Sequence, residues 1–158
     1  MKATRKKIGY FLKYGTLLST TGFVVSTIIQ IYARFFMQSA PSWTEEASRF
    51  FFIYAVSFAS GLAMKGSYYV RFDVVYNKLK PKYQNQLQVL VSVFTIFLFL
   101  ILSIYAIQFV KVGLPEHSPS LSASMAIAFS SMLVMGIFIT LYAFWDLLGI
   151  IKKLKHKS

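Results

Sequence analysis

The sequence predicts an all-α integral membrane protein with four transmembrane helices and both termini in the cytoplasm. Three observations carry this: charge is scarce, the apolar residues fall into four long uncharged runs, and basic residues alternate in number from one connection to the next. Of 158 residues, 56% are hydrophobic, 18% aromatic and 14% charged. A soluble domain carries about 25% charged residues. The length suits a single four-helix membrane domain, residues 1–158.

The first run, Tyr14 to Ala33, has 20 residues without charge or proline. The third, Tyr83 to Val110, has 28, and the fourth, Ser120 to Trp145, has 26. Each meets the roughly 20 residues that a helix needs to cross the hydrocarbon core. The second run, Phe50 to Met64, has only 15. At about 1.5 Å per residue it is short of a ~30 Å core. Its flanks extend it. Pro41-Ser42-Trp43-Thr44-Glu45 reads as a helix start, with Ser42 as N-cap and Glu45 at the third position of a capping box. Arg49 and Lys65 then snorkel to the two interfaces, and Trp43 suits the headgroup belt. The expected spans are approximately 14–36, 43–65, 84–110 and 120–145.

Orientation follows from the basic residues outside the runs. The N-terminal tail carries five: Lys2, Arg5, Lys6, Lys7 and Lys13. The first connection has two, Arg34 and Arg49, and the second five, Lys65, Arg71, Lys78, Lys80 and Lys82. The third has Lys111 alone, and the C-terminal tail has four lysines. Excess Lys and Arg mark cytoplasmic segments, so the alternation places both termini inside. In the second connection, Phe72, Val75 and Leu79 recur at helical intervals before Pro81. This predicts a short amphipathic interfacial helix between helices 2 and 3, with an ordinary basic loop as the alternative.

Composition and placement exclude several functions. The net charge of +12 is dispersed around the ends of apolar runs, which suits a membrane and not a nucleic-acid face. There is no cysteine, hence no disulfide, thiolate metal site or thiol redox chemistry. The first run is too long for the core of a cleavable signal peptide, and no small-residue cleavage site follows it. His117 and His156 lie outside the spans and have no metal-ligand spacing. The middle of every run lacks Asp, Glu, Lys, Arg and His, and no run contains an internal proline. Carriers of anions use broken helices near the midplane, and no proline interrupts these runs. No nucleophile–base set or Gly-rich phosphate loop is present, so neither catalysis nor a cofactor is expected.

Two features are candidate interface sites. On helix 2, Ala55, Ala59 and Ala63 recur every four residues, with Ser57 and Gly61 as a second pair. Such spacing lets helices approach closely in lipid, either inside the protein or against another subunit. Gly22 and Ser26 on helix 1, and Gly136 and Thr140 on helix 4, offer the same choice. The second feature is Trp43, Glu45, Glu46 and Arg49. Glu45 and Arg49 are spaced i,i+4 in the favourable order, and both carboxylates stand at a helix N-terminus, where the dipole favours them. Capping with snorkelling, or contact with a partner or headgroups, both account for the cluster. A proton or ion site is a third account, at odds with its place at the membrane edge. Asp73 reads as a counter-charge in a basic stretch, and Asp146 as a solvated charge ending helix 4.

Trp43-Thr44-Glu45-Glu46-Ala47-Ser48-Arg49 resembles the W-x-E-E-x-x-R motif of the small membrane subunit of tripartite ATP-independent periplasmic (TRAP) transporters, the DctQ-like family. Val70-Arg71-Phe72-Asp73, followed by Leu79 and Pro81, resembles that family's H-V-x-V-D…L-P, with Tyr69 in place of His. Ser118-Pro119-Ser120-Leu121 resembles its S-P-A-L-G-x-P, with Ser122 in place of Gly and without the later Pro. Gly136 matches a family glycine, and Val134 stands where Pro is common. The resemblance implies a scaffold subunit in the bacterial inner membrane. Its implied partners are a large multi-span permease, paired with it as a heterodimer, a periplasmic substrate-binding protein, and membrane lipids. Sodium ions are expected in the permease and none in this chain. The implied cargo is an organic acid: a C4-dicarboxylate, an oxo acid, or a sialic or other sugar acid. The alternative function is an autonomous four-span transporter acting as a homodimer, although the first run lacks the acidic residue that such exporters carry.

Overall fold

A computed structural model describes residues 2–37, 41–66 and 81–155. These form four helices: α1 (Lys2–Phe36), α2 (Ser42–Gly66), α3 (Pro81–Gly113) and α4 (Met125–Lys155). All four are long and apolar enough to cross a membrane. The expected interfacial helix and Asp73 lie outside the described residues.

The helix bounds follow from local chemistry. α1 begins far ahead of its uncharged run, because Lys and Arg are good helix formers and nothing before Tyr14 breaks the helix. α2 begins at Ser42, which is already helical, so the residue read as its N-cap lies inside the helix. Pro41 precedes it, and the Thr44 N–H (3.2 Å) and hydroxyl (2.7 Å) both donate to the Pro41 carbonyl. Glu45 turns to Arg49 and closes no capping box with Ser42. α4 starts at Met125 and not near 120. Ser124 caps it: its Oγ accepts from the Ala126 N–H at 3.3 Å and donates to the Gly113 carbonyl at 3.0 Å. One serine therefore joins the end of α3 to the start of α4.

The helices pack in the order α1–α2–α4–α3. Among the described residues, α3 has no extensive contact with α1 or α2, so the arrangement is an open row and not a closed bundle. Along α1, Leu12, Ser19, Ser26 and Ala33 are all buried, at intervals of seven. A seven-residue period keeps one seam on a partner helix with a shallow left-handed crossing. Small side chains on that seam let α2 come close. Flanking the seam, the Phe58 ring covers Gly15 and the Phe51 ring covers Gly22. A Cβ on Gly22 would lie 2.7 Å from Phe51, so the notch exists only because the side chain is absent.

The α4 contacts use the same device. A Cβ on Gly136 would lie 2.3 Å from the Ser103 Oγ of α3. Phe109 of α3 and Phe129 of α4 pack with ring centroids 4.1 Å apart. Tyr142, Ala143 and Ile139 of α4 are almost wholly buried. Elsewhere, large apolar side chains face outward, among them Leu18, Phe35, Leu90, Phe94, Phe97 and Tyr105. In water such a surface would drive aggregation; in lipid it needs no cover.

Candidate functional site

The start of α2 builds the most developed polar site. Successive residues on a helix point about 100° apart, so Glu45 and Glu46 face different ways. Glu45 faces outward and forms an ion pair with Arg49, one turn on. Both side chains are largely exposed, and such pairs contribute about 0.2–0.5 kcal/mol. Trp43 is also exposed. Ser48 is buried and donates to the Glu45 carbonyl at 2.8 Å.

Glu46 faces the connection between α3 and α4. Its carboxylate accepts from the Ser118 hydroxyl, from the Ser120 N–H at 3.1 Å and from the Leu121 N–H at 2.9 Å. This is how a carboxylate satisfies loop amides that have no helix or strand partner. The connection is itself knitted together. The Ser118 N–H donates to Ala123 O at 2.8 Å, the Ser122 N–H to Ser118 O at 3.0 Å, and the Met125 N–H to Glu116 O at 2.8 Å. Ser122 completes the turn with a φ of 51°, in the left-handed region that favours glycine. It occupies the place of the glycine in the S-P-A-L-G pattern. A further tie lies close by: the Tyr54 hydroxyl of α2 donates to the Ile127 carbonyl at 2.7 Å and lies 2.5 Å from the Ser130 Oγ.

The small residues of α2 are spent largely inside the protein. Ala55 and Gly61 are buried, and Ala59 and Ala63 are half-buried. A Cβ on Gly61 would meet Phe138 of α4 at 2.9 Å and Leu12 of α1 at 3.2 Å. Gly61 thus lets three helices converge. Of the residues singled out from sequence, Trp43, Glu45 and Arg49 remain outward, and Glu46 is engaged internally.

The opposite end of the helices, where α1 begins and α4 ends, holds a second cluster. Arg5 Nη2 donates to Asp146 Oδ1 at 2.9 Å, with both side chains about one-third exposed. The Arg5 guanidinium lies over the Tyr142 ring at 5.7 Å, and the Tyr142 hydroxyl donates to the Arg5 carbonyl at 3.3 Å. Asp146 therefore ties α4 to α1 and is not the solvated helix-end charge that its position suggested. His117 sits in the exposed connection with Nδ1 3.0 Å from the Pro115 carbonyl. Among the described residues, no three of His, Asp and Glu gather in a way that could hold a metal ion.

Sequence reasoning missed the Glu46 clamp, because its partners lie more than 70 residues away. It picked out Ser26 but not the rest of the seam, Leu12, Ser19 and Ala33, whose signal was a seven-residue spacing of one leucine and three small residues. Four apolar helices in an open row, with polar groups gathered at the two ends of the helices, define a multi-pass membrane protein. The family is specific: residues 23–153 match the DctQ component of the tripartite ATP-independent periplasmic transporters, and the chain belongs to that family. No match was found among curated proteins. The matched segment contains both Trp43–Arg49 and Ser118–Leu121, the two stretches that Glu46 joins.

Proposed function

We propose that this chain is the small accessory subunit of a sodium-coupled TRAP transporter in the bacterial inner membrane, with both termini cytoplasmic. It braces a large multi-span permease, which holds the substrate and sodium sites. A periplasmic binding protein delivers the cargo, an organic acid such as a C4-dicarboxylate, an oxo acid or a sugar acid. Family membership supports the assignment to a transporter. The observation that carries the bracing role is the uncharged middle of all four helices, whose polar groups instead lock helix ends and connections together. A scaffold needs rigidity and an apolar exterior, and a carrier needs ionisable or unwound elements at the midplane.

The outward Trp43, Glu45 and Arg49 are the proposed contact with the permease or with headgroups. Reconstitution tests the reading. Proteoliposomes holding this chain, the permease and the binding protein should take up the organic acid only with an inward sodium gradient, and omission of this chain should abolish uptake. Uptake by this chain alone would favour the homodimeric transporter instead. If Arg49 lies at the contact, Arg49→Glu should weaken assembly with the permease.

A further inference from the structure

We propose that the first four turns of α1 form a binding surface for anionic phospholipid headgroups. The 35 residues of α1 extend about 52 Å at 1.5 Å per residue, far more than the ~30 Å hydrocarbon core. The uncharged stretch Tyr14–Ala33 fills that core, so the residues before it run through the headgroup layer. The helix is continuous there, which fixes the direction of each side chain.

At 3.6 residues per turn, Lys6, Lys7, Tyr10, Lys13 and Tyr14 fall within an arc of about 120°. All five are exposed. Arg5, Gly9 and Leu12 point to the opposite side, against α2 and α4. Lys65 of α2 lies over Gly9, which brings another cation to the same end. The described acids are Glu45, Glu46, Glu116 and Asp146. Of these only Asp146 is at this end, and Arg5 already engages it. No ion pair among the described residues reaches Lys6, Lys7 or Lys13. The first turn of α1 contains no acidic residue, so no acid in that turn offsets the positive end of the helix dipole.

The chemistry of the arc specifies the ligand. Lys13 and Tyr14 sit at the edge of the uncharged stretch, where tyrosine prefers the boundary between chains and headgroups. Lys6, two turns earlier, reaches the outer headgroup level, with its ammonium 6.0 Å above the Tyr10 ring. Cations at two depths, interleaved with aromatic rings, match the phosphate of a lipid whose headgroup carries no compensating cation. Phosphatidylglycerol fits; phosphatidylcholine brings its own positive charge against the lysines. The inference does not depend on the transport role.

The chain has no cysteine, so a single introduced one can carry a fluorophore. Leu17→Cys places a bimane on the same arc, and Val112→Cys places one on the exposed far end of α3. The labelled full chain is reconstituted in vesicles of equal phosphatidylglycerol and phosphatidylcholine, with one or the other brominated. At Leu17→Cys, brominated phosphatidylglycerol should quench at least about twofold more than brominated phosphatidylcholine, since each lysine near an anionic surface contributes about a fivefold factor. Lys6→Gln/Lys7→Gln/Lys13→Gln should equalise the two, the corresponding arginine triple should retain the preference, and 0.5 M salt should shrink it in the unsubstituted arc. The Val112→Cys probe should show little preference. Equal quenching at Leu17→Cys by both lipids would overturn the proposal. So would a preference that survives both the glutamine triple and high salt.

Discussion

The Ser120 amide donates to the Glu46 carboxylate at 3.1 Å, across a sequence separation of 74 residues. Through this bond and those from Ser118 and Leu121, the N-terminal end of α2 holds the connection that leads into α4. Glu46→Ala leaves the Ser120 and Leu121 amides without that acceptor, and water then competes for them. Hydrogen exchange should speed up at these two amides, while the amides in the middle of α3 stay protected. Glu46→Gln, which retains an acceptor oxygen, should have the smaller effect.

Ser122 carries a backbone conformation that glycine adopts at less cost. With φ at 51°, Ser122→Gly should raise stability by about 0.5–1 kcal/mol, after the entropy cost of glycine in the unfolded chain is subtracted. Ser122→Val, which is β-branched, should lower it by about 1–3 kcal/mol. Thermal unfolding in a fixed detergent reads both, with the two variants moving in opposite directions.

The ring-over-glycine contacts predict how α1 and α2 separate. A side chain at Gly22 forces the Phe51 ring out of its notch. Gly22→Val should therefore cost about 1–3 kcal/mol, as overpacking does elsewhere. Pairing Gly22→Val with Phe51→Ala should recover part of the loss, which a double-mutant cycle on unfolding free energies would detect.

Arg5 and Asp146 form a partly screened pair between α1 and α4. Removing both charges, as Arg5→Gln with Asp146→Asn, should show a coupling of up to about 1 kcal/mol. Raising salt should shrink it. Asp146→Asn should also loosen the order of the two ends, read as increased probe mobility at the N-terminal turns of α1.

Much of this architecture is legible in the sequence because a membrane imposes simple rules. A helix with no charge over 20 residues has few alternatives in lipid, so the four runs predict the four helices. Boundaries were less legible. Ser42 before Trp43-Thr44-Glu45 has the form of a capping box, but the Pro41 carbonyl already serves the Thr44 amide. Ser120 to Ala123 is uncharged and reads as membrane span, yet it forms a turn in which Glu46 takes the Ser120 and Leu121 amides and the Ser118 carbonyl takes the Ser122 amide. The candidate site was half legible. The Glu45–Arg49 pair follows from helical spacing alone. Glu46 looks equivalent to Glu45 in sequence, and only the packing of α2 against α4 gives the two carboxylates different roles. Asp146 is similar: its ion pair requires knowing that the two ends of the chain meet.

The central claim is that this chain is a scaffold that works only with a larger permease. Affinity purification of the tagged chain, coexpressed with the large permease of its transporter, tests that most directly. The account predicts a stable complex of equal stoichiometry in mild detergent. A chain that purifies without the permease and alone drives sodium-dependent uptake of the organic acid would contradict it.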